Sequence, residues 1–208
     1  MSINIWLAFV AASAILLVIP GPTILTVISY SVAHGRRANL PLVAAVALGD
    51  STALVLSLLG LGALLAASAA WFTVIKWIGG LYLIYLGIKL LRAGVARTEF
   101  AVPAAPGSRW RLFANTYLVT ALNPKGMIFF VAFLPQFIDP ATNVARQLWV
   151  LSVTFVVMAT FNAALYAVFA ASARRLLESL RSQRHFNLVG GSLLTGAGIW
   201  ALFARRVA

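Results

Sequence analysis

Three observations predict an all-α integral membrane protein: six transmembrane helices forming two inverted three-helix repeats, with helices 1 and 4 broken. The first is composition. Of 208 residues, 62% are hydrophobic and 10% charged, with mean hydropathy +0.96, whereas a soluble domain carries about 25% charged residues. The second is spacing, because apolar runs of about 20 residues, enough to cross a bilayer, recur six times. The third is a pair of interruptions, Ile19-Pro20-Gly21-Pro22-Thr23 and Leu122-Asn123-Pro124-Lys125-Gly126, each in the middle of a long apolar run.

The expected spans are Ile5–Ala33, Leu40–Ala67, Phe72–Leu91, Leu112–Ile138, Leu148–Ala173 and Phe186–Ala204. The first is read as retained. Met1 to Asn4 carries no basic residue, and the run exceeds the roughly 7–15 apolar residues of a cleavable signal. His34 to Asn39 connects spans one and two, and a tight turn at Ser68-Ala69-Ala70 connects two and three. The long polar connector, about Arg92 to Arg109 with Pro103, Pro106 and Gly107, divides the chain into repeat one (1–92), a linker (93–109) and repeat two (110–208). Asp139–Gln147 and the arginine-rich Arg174–His185 complete the connectors. Within the latter, Glu178 and Arg181 are expected to pair at helical spacing.

Basic residues orient the chain. Arg36 and Arg37, then Lys89, Arg92, Arg97, Arg109 and Arg111, then Arg174, Arg175, Arg181 and Arg184 share one side; Lys76, Arg146, Arg205 and Arg206 fall on the other. The excess of Lys and Arg on cytoplasmic loops puts the first side inside and both termini in the periplasm. Tryptophans at span ends, Trp6, Trp71, Trp77, Trp149 and Trp200 outside and Trp110 inside, agree with it. The net charge of +12 is thereby assigned to the membrane surface, with no call for nucleic acid.

With three spans per repeat, the second repeat enters from the opposite side and both interruptions fall near the midplane. Proline removes a backbone donor and clashes with the preceding turn. In hydrocarbon, irregular backbone survives only inside protein or beside a wet cavity. Paired breaks in two halves point to a transporter's binding site. Pro22 and Pro124 suit the first position of a second half-helix, with Gly21 and Asn123 as the caps before them. Two helix N-termini then face one cavity and attract an anion.

The candidate binding residues are therefore Pro20, Gly21, Pro22, Thr23, Asp50, Asn123, Pro124, Lys125 and Asn162. Lys125 lies about 13 residues from either end of its span, too deep to snorkel with ease, and a midplane charge costs about 2.5–3.5 kcal/mol. Asp50 is the one acid inside a span, since Glu99, Asp139 and Glu178 lie in connectors. It has two possible roles: a static ion pair with Lys125, or a seat for an ammonium group or a proton. Burial and a neighbouring cation act oppositely on a carboxyl's proton affinity, which is what lets such a group change protonation. Asn162 falls where the repeat places a partner for Asp50, and an asparagine there also serves as glue between helices. Thr23 and Asn123 have the simpler role of satisfying broken backbone. Tyr82 and Tyr85 read as packing. The pairs Gly79–Gly80 and Gly190–Gly191, with Gly196 and Gly198, read as close helix contact; such faces are compatible with a homo-oligomer but count no subunits.

No cysteine is present, which removes disulfides, thiolate metal sites and dithiol redox chemistry. No span carries a histidine, a nucleophile–base pair or a metal-ligand cluster, so neither an enzyme nor a cofactor is expected.

These residues, in their order and spacing, resemble the lysine exporter (LysE-type) superfamily, specifically its homoserine/threonine-efflux branch, almost end to end. The resemblance rests on Pro20-Gly21-Pro22, His34-Gly35-Arg36-Arg37-Ala38 and Gly49-Asp50, on the run from Lys76-Trp77-Ile78-Gly79-Gly80 to Tyr85-Leu86-Gly87, and on Asn123-Pro124-Lys125 and Phe133-Leu134-Pro135-Gln136-Phe137. Asn39 and Asn115 stand where that family usually has glycine. The resemblance implies a bacterial inner-membrane exporter of amino acids or their derivatives, such as homoserine, threonine or lysine, driven by proton antiport. The residues by themselves accommodate a zwitterion, with its carboxylate at the two half-helix ends and Lys125 and its ammonium at Asp50. Two other readings compete: efflux of a cation or toxic metabolite, and a non-transporting scaffold with a dry centre and Asp50 against Lys125.

Overall fold

The computed structural model describes residues 1–67, 69–93, 108–139 and 142–203. Every regular element among them is helical. Helix α1 (Ile3–Val18) starts at Ser2, whose hydroxyl accepts the Ile5 N–H, and stops where Ile19 turns extended ahead of Pro20, since the residue before proline is pushed out of the helical region. Helix α2 (Pro22–His34) begins with Pro22 in its first turn and Gly21 as its cap. It ends at Gly35, whose φ of +65° lies in the left-handed region that glycine occupies without strain. A short 3-10 turn (Gly35–Ala38) leads into α3 (Asn39–Ala67), 29 residues without a break. Helix α4 spans Ala69–Arg92.

Helix α5 (Arg109–Ala121) is capped by the Ser108 hydroxyl, which accepts from Arg111 N. Helix α6 (Pro124–Ala132) is capped by Asn123, whose side-chain oxygen accepts the Lys125 N–H at 3.1 Å. Leu134–Phe137 form a second 3-10 turn. Asn143 then caps α7 (Val144–Val168) through Arg146 N at 2.9 Å. Helices α8 (Ala170–Glu178) and α9 (Leu180–Phe203) complete the chain. Among the described residues, Pro22–Gly60, Arg109–Phe137 and Val144–Val168 are long and apolar enough to cross a membrane, and Ile3–Val18 is a shorter apolar helix.

Three details differ from the sequence reading. The chain leaves its fifth apolar run at Phe169, not Ala173. The Arg174–His185 connector is helical on both sides of Ser179. That serine interrupts the register between Glu178 and Arg181, so Glu178 pairs instead with Arg174, one turn back at 2.8 Å. Both partners are substantially exposed, so this ion pair contributes little. The expected turn at Ser68 and most of the linker, residues 94–107, lie outside the described residues.

Two devices hold the helices together. Phe9 of α1, Phe129 and Phe130 of α6, Phe133 and Phe137 just beyond it, and Phe155 of α7 form a buried aromatic cluster. Edge-to-face contacts within it include Phe9–Phe137 at 5.3 Å and Phe130–Phe155 at 4.8 Å, a geometry that favours aromatic pairs. The second device is the glycine seam between α4 and α9. A Cβ built on Gly87 would lie 2.6 Å from Thr195 N and 2.7 Å from Gly191 O, and one on Gly198 would lie 2.7 Å from Gly80 O. Backbone meets backbone there, as small residues permit in a bilayer. Gly87→Val is therefore expected to destabilise the protein by at least about 1–3 kcal/mol, the usual cost of overpacking. Gly196→Val, facing open space on α9, should leave the thermal unfolding midpoint in detergent unchanged. Equal midpoints for the two variants would refute the seam.

Candidate functional site

A helix leaves its last four carbonyls without intrahelical partners, and α1 ends in the interior of an apolar protein. Every one of those four carbonyls is met by a side chain. The Lys125 ammonium donates to Leu16 O and to Ile19 O, both at 2.8 Å. Asn162 donates to Leu17 O at 3.1 Å, and the Tyr166 hydroxyl donates to Val18 O at 2.9 Å. Lys125 comes from the first turn of α6, while Asn162 and Tyr166 lie one turn apart on α7. A cation at the carbonyl end of a helix also meets the negative end of its dipole.

The other two ends at the same place are amino-terminal. At α6, Asn123 accepts from Lys125 N with its oxygen and donates its amide to the Thr23 hydroxyl of α2 at 3.2 Å. One side chain thus ties the starts of α2 and α6 together. Gly21 offers α2 no side-chain cap, so the N–H groups of Thr23 and Ile24, and of Gly126 on α6, are the first-turn donors that helix geometry leaves unpaired.

These groups surround a cavity of about 50 Å³. Gly21, Thr23, Asp50, Asn123, Lys125 and Asn162 line it, with Ile24, Val46, Phe155 and Ala159 as apolar wall. Asp50 enters from the middle of α3. Neighbouring Gly49 lets that helix approach α5 closely, since a Cβ on it would lie 2.6 Å from Thr120 Cβ. The Asp50 carboxyl forms no ion pair with Lys125 and no hydrogen bond with any described residue. An ammonium has three donors, and two of those of Lys125 are engaged by carbonyls, which leaves one.

Of the nine residues singled out from the sequence, six meet at this cavity. Pro20, Pro22 and Pro124 are not among its lining; they set where the helices stop and start. Tyr166 escaped the sequence reading, although its position one turn after Asn162 on one helix face was the available signal. Tyr82 and Tyr85 lie together on α4, rings 6.1 Å apart, away from the cavity. No group of three or more His, Asp or Glu side chains that could hold a metal ion occurs among the described residues.

Comparison with known proteins bears on the same residues. A family model described as LysE type translocator matches residues 14–205. The chain belongs to the LysE family. This translocator is 32% identical over 206 residues to the homoserine/homoserine lactone efflux protein of Salmonella typhimurium, covering 99% of the chain and 100% of the relative. It is 31% identical over 153 residues to a leucine efflux protein of Enterobacter sp. strain 638, covering 73% and 72%. An uncharacterized membrane protein of Vibrio cholerae is 33% identical over 199 residues, covering 96% and 97%. No solved structure matches the translocator.

The cap predicts an order of stabilities. Lys125→Met strips two carbonyls, Asn162→Leu one, and Tyr166→Phe one at a more exposed position. An abandoned buried carbonyl costs about 1–3 kcal/mol. Thermal unfolding in detergent should therefore rank the losses Lys125→Met, then Asn162→Leu, then Tyr166→Phe. A Lys125→Met protein as stable as wild type would refute the cap.

Proposed function

We propose that this LysE-family protein exports small amino acids or their derivatives across the bacterial inner membrane by alternating access. In this reading the central cavity is the substrate site. The observation that carries it is the meeting, in one cavity, of a carboxylate without a partner among the described residues and a cluster of donors: Asp50 on α3 shares the lining with Thr23, Ile24, Gly126 and Lys125. A zwitterion has that charge pattern. Its ammonium takes Asp50, and its carboxylate takes the half-helix ends, where backbone donors and the helix dipole favour an anion. Asn123, held between α2 and α6, and Asn162 supply further polar contacts. Pro20, Pro22 and Pro124 keep the two helix starts aimed at the cavity.

The relatives named for homoserine, homoserine lactone and leucine efflux support a substrate of this class with a small neutral side chain. Threonine and lysine belong in the same panel. The cavity of about 50 Å³ holds only a few waters, at about 10–15 Å³ each, so a closed state is read here, and a substrate enters only when one half of the molecule moves against the other. Two inverted repeats of three spans, 1–92 and 110–208, joined by a cytoplasmic linker and with both termini in the periplasm, give that motion its simplest form. Between substrates, Asp50 takes up a proton, which couples export to the proton gradient.

Full-length protein reconstituted in liposomes with an imposed pH gradient tests this. Wild type is expected to move labelled homoserine, threonine or leucine, with transport collapsed by a protonophore. Asp50→Asn is expected to fall to the background of empty liposomes, and Lys125→Gln at least tenfold. Wild-type rates in both variants would overturn the site, and gradient-independent uptake would overturn the coupling.

A further inference from the structure

A second hollow is much larger than the central cavity. A groove of about 610 Å³ runs between α1 and α9, roughly twelve times the volume of the central site. Ile15 and Val18 of α1 face Phe186, Val189 and Leu193 of α9 across an apolar body. At one end the character changes: Arg181, Ser182 and His185, on the first turns of α9, bring a cation, a hydroxyl and an imidazole to the same groove. No acid lines it. The nearest acid in sequence, Glu178, lies on α8 and is already paired with Arg174.

We propose that this groove is a binding site for an anionic phospholipid, its phosphate at Arg181, Ser182 and His185 and an acyl chain along Val18, Val189 and Leu193. The charge pattern selects this occupant. Basic pockets between membrane helices at the level of the headgroups favour anionic lipid, and guanidinium is the side chain best shaped for phosphate. A second copy of the chain fits worse, because a two-fold contact uses the same patch on both copies and would gather two Arg181 and two His185 in one interface with no acid lining the groove.

The groove also reaches the functional centre. Ile19 lines both it and the central cavity, and the Ile19 carbonyl is one of those held by Lys125. Gly190 lets α9 come close to that residue: a Cβ there would lie 2.9 Å from Ile19 Cδ1. A bound lipid therefore leans on the last turn of α1, next to the Ile19 carbonyl that Lys125 holds. The site stands apart from the transport reading, since lipid binding is measured without flux.

Native mass spectrometry of the full-length protein in detergent provides the test, with phosphatidylglycerol and phosphatidylcholine of identical chains titrated separately. Wild type is expected to bind phosphatidylglycerol about tenfold more tightly. The double variant R181A/H185A should lose that preference, while R174A/R175A, on α8 outside the groove, should keep it. Val189→Trp, which fills the apolar body, should weaken binding of both lipids. A preference surviving in R181A/H185A, or lost equally in R174A/R175A, would overturn the proposal. So would a dimer in wild type that Val189→Trp dissolves, because the groove would then be a contact between copies.

Discussion

A helix that ends inside hydrocarbon leaves carbonyls that water cannot reach, and unmet backbone polar groups in that setting cost several kcal/mol each. The chain meets this at Val18 with three side chains from two other helices, all arriving at one turn. Their convergence fixes where α6 and α7 stand relative to α1. The amide of Asn123 then fixes α2 to α6. The aromatic cluster closes over the same junction from Phe9 to Phe155. The packing of the centre follows from finding partners for a broken backbone.

This constraint changes how Lys125 is understood. A lysine deep in an apolar segment invites a substrate role, yet two of its three donors are occupied by α1 carbonyls, and its charge sits against the negative end of a helix. Asp50 has no comparable partner among the described residues. Among the described residues, the centre thus contains one cation already compensated by backbone and one carboxylate that is not. In the proposed reading, an ammonium or a proton is what this centre is short of, and the half-helix amino ends take the carboxylate more than lysine alone does.

The helical class of the fold was legible from composition and from apolar runs. So were the residues of the centre, because Asp50, Lys125 and Asn162 are costly in apolar segments and Gly21, Thr23 and Asn123 flank prolines. Their partners were not legible. Nothing in the local pattern says that Lys125 reaches back 109 residues to Leu16, since that contact depends on how helices cross rather than on any spacing. Tyr166 was hidden because a tyrosine in a membrane helix is ordinary until its hydroxyl finds a carbonyl. The Glu178–Arg181 pairing failed for a local reason: an i,i+3 argument assumes continuous helix, and Ser179 breaks it.

The narrowness of the central cavity has an electrical meaning. A continuous file of water across a bilayer conducts ions and would discharge the potential a cell spends its metabolism to maintain. Here the few waters that fit are walled by Ile24, Val46 and Phe155, with the buried ring of Phe130 stacked edge-on behind Phe155. A space of about 50 Å³ holds a few waters and not a file of them, so this cavity by itself gives no continuous wet path past the polar groups buried midway through the fold.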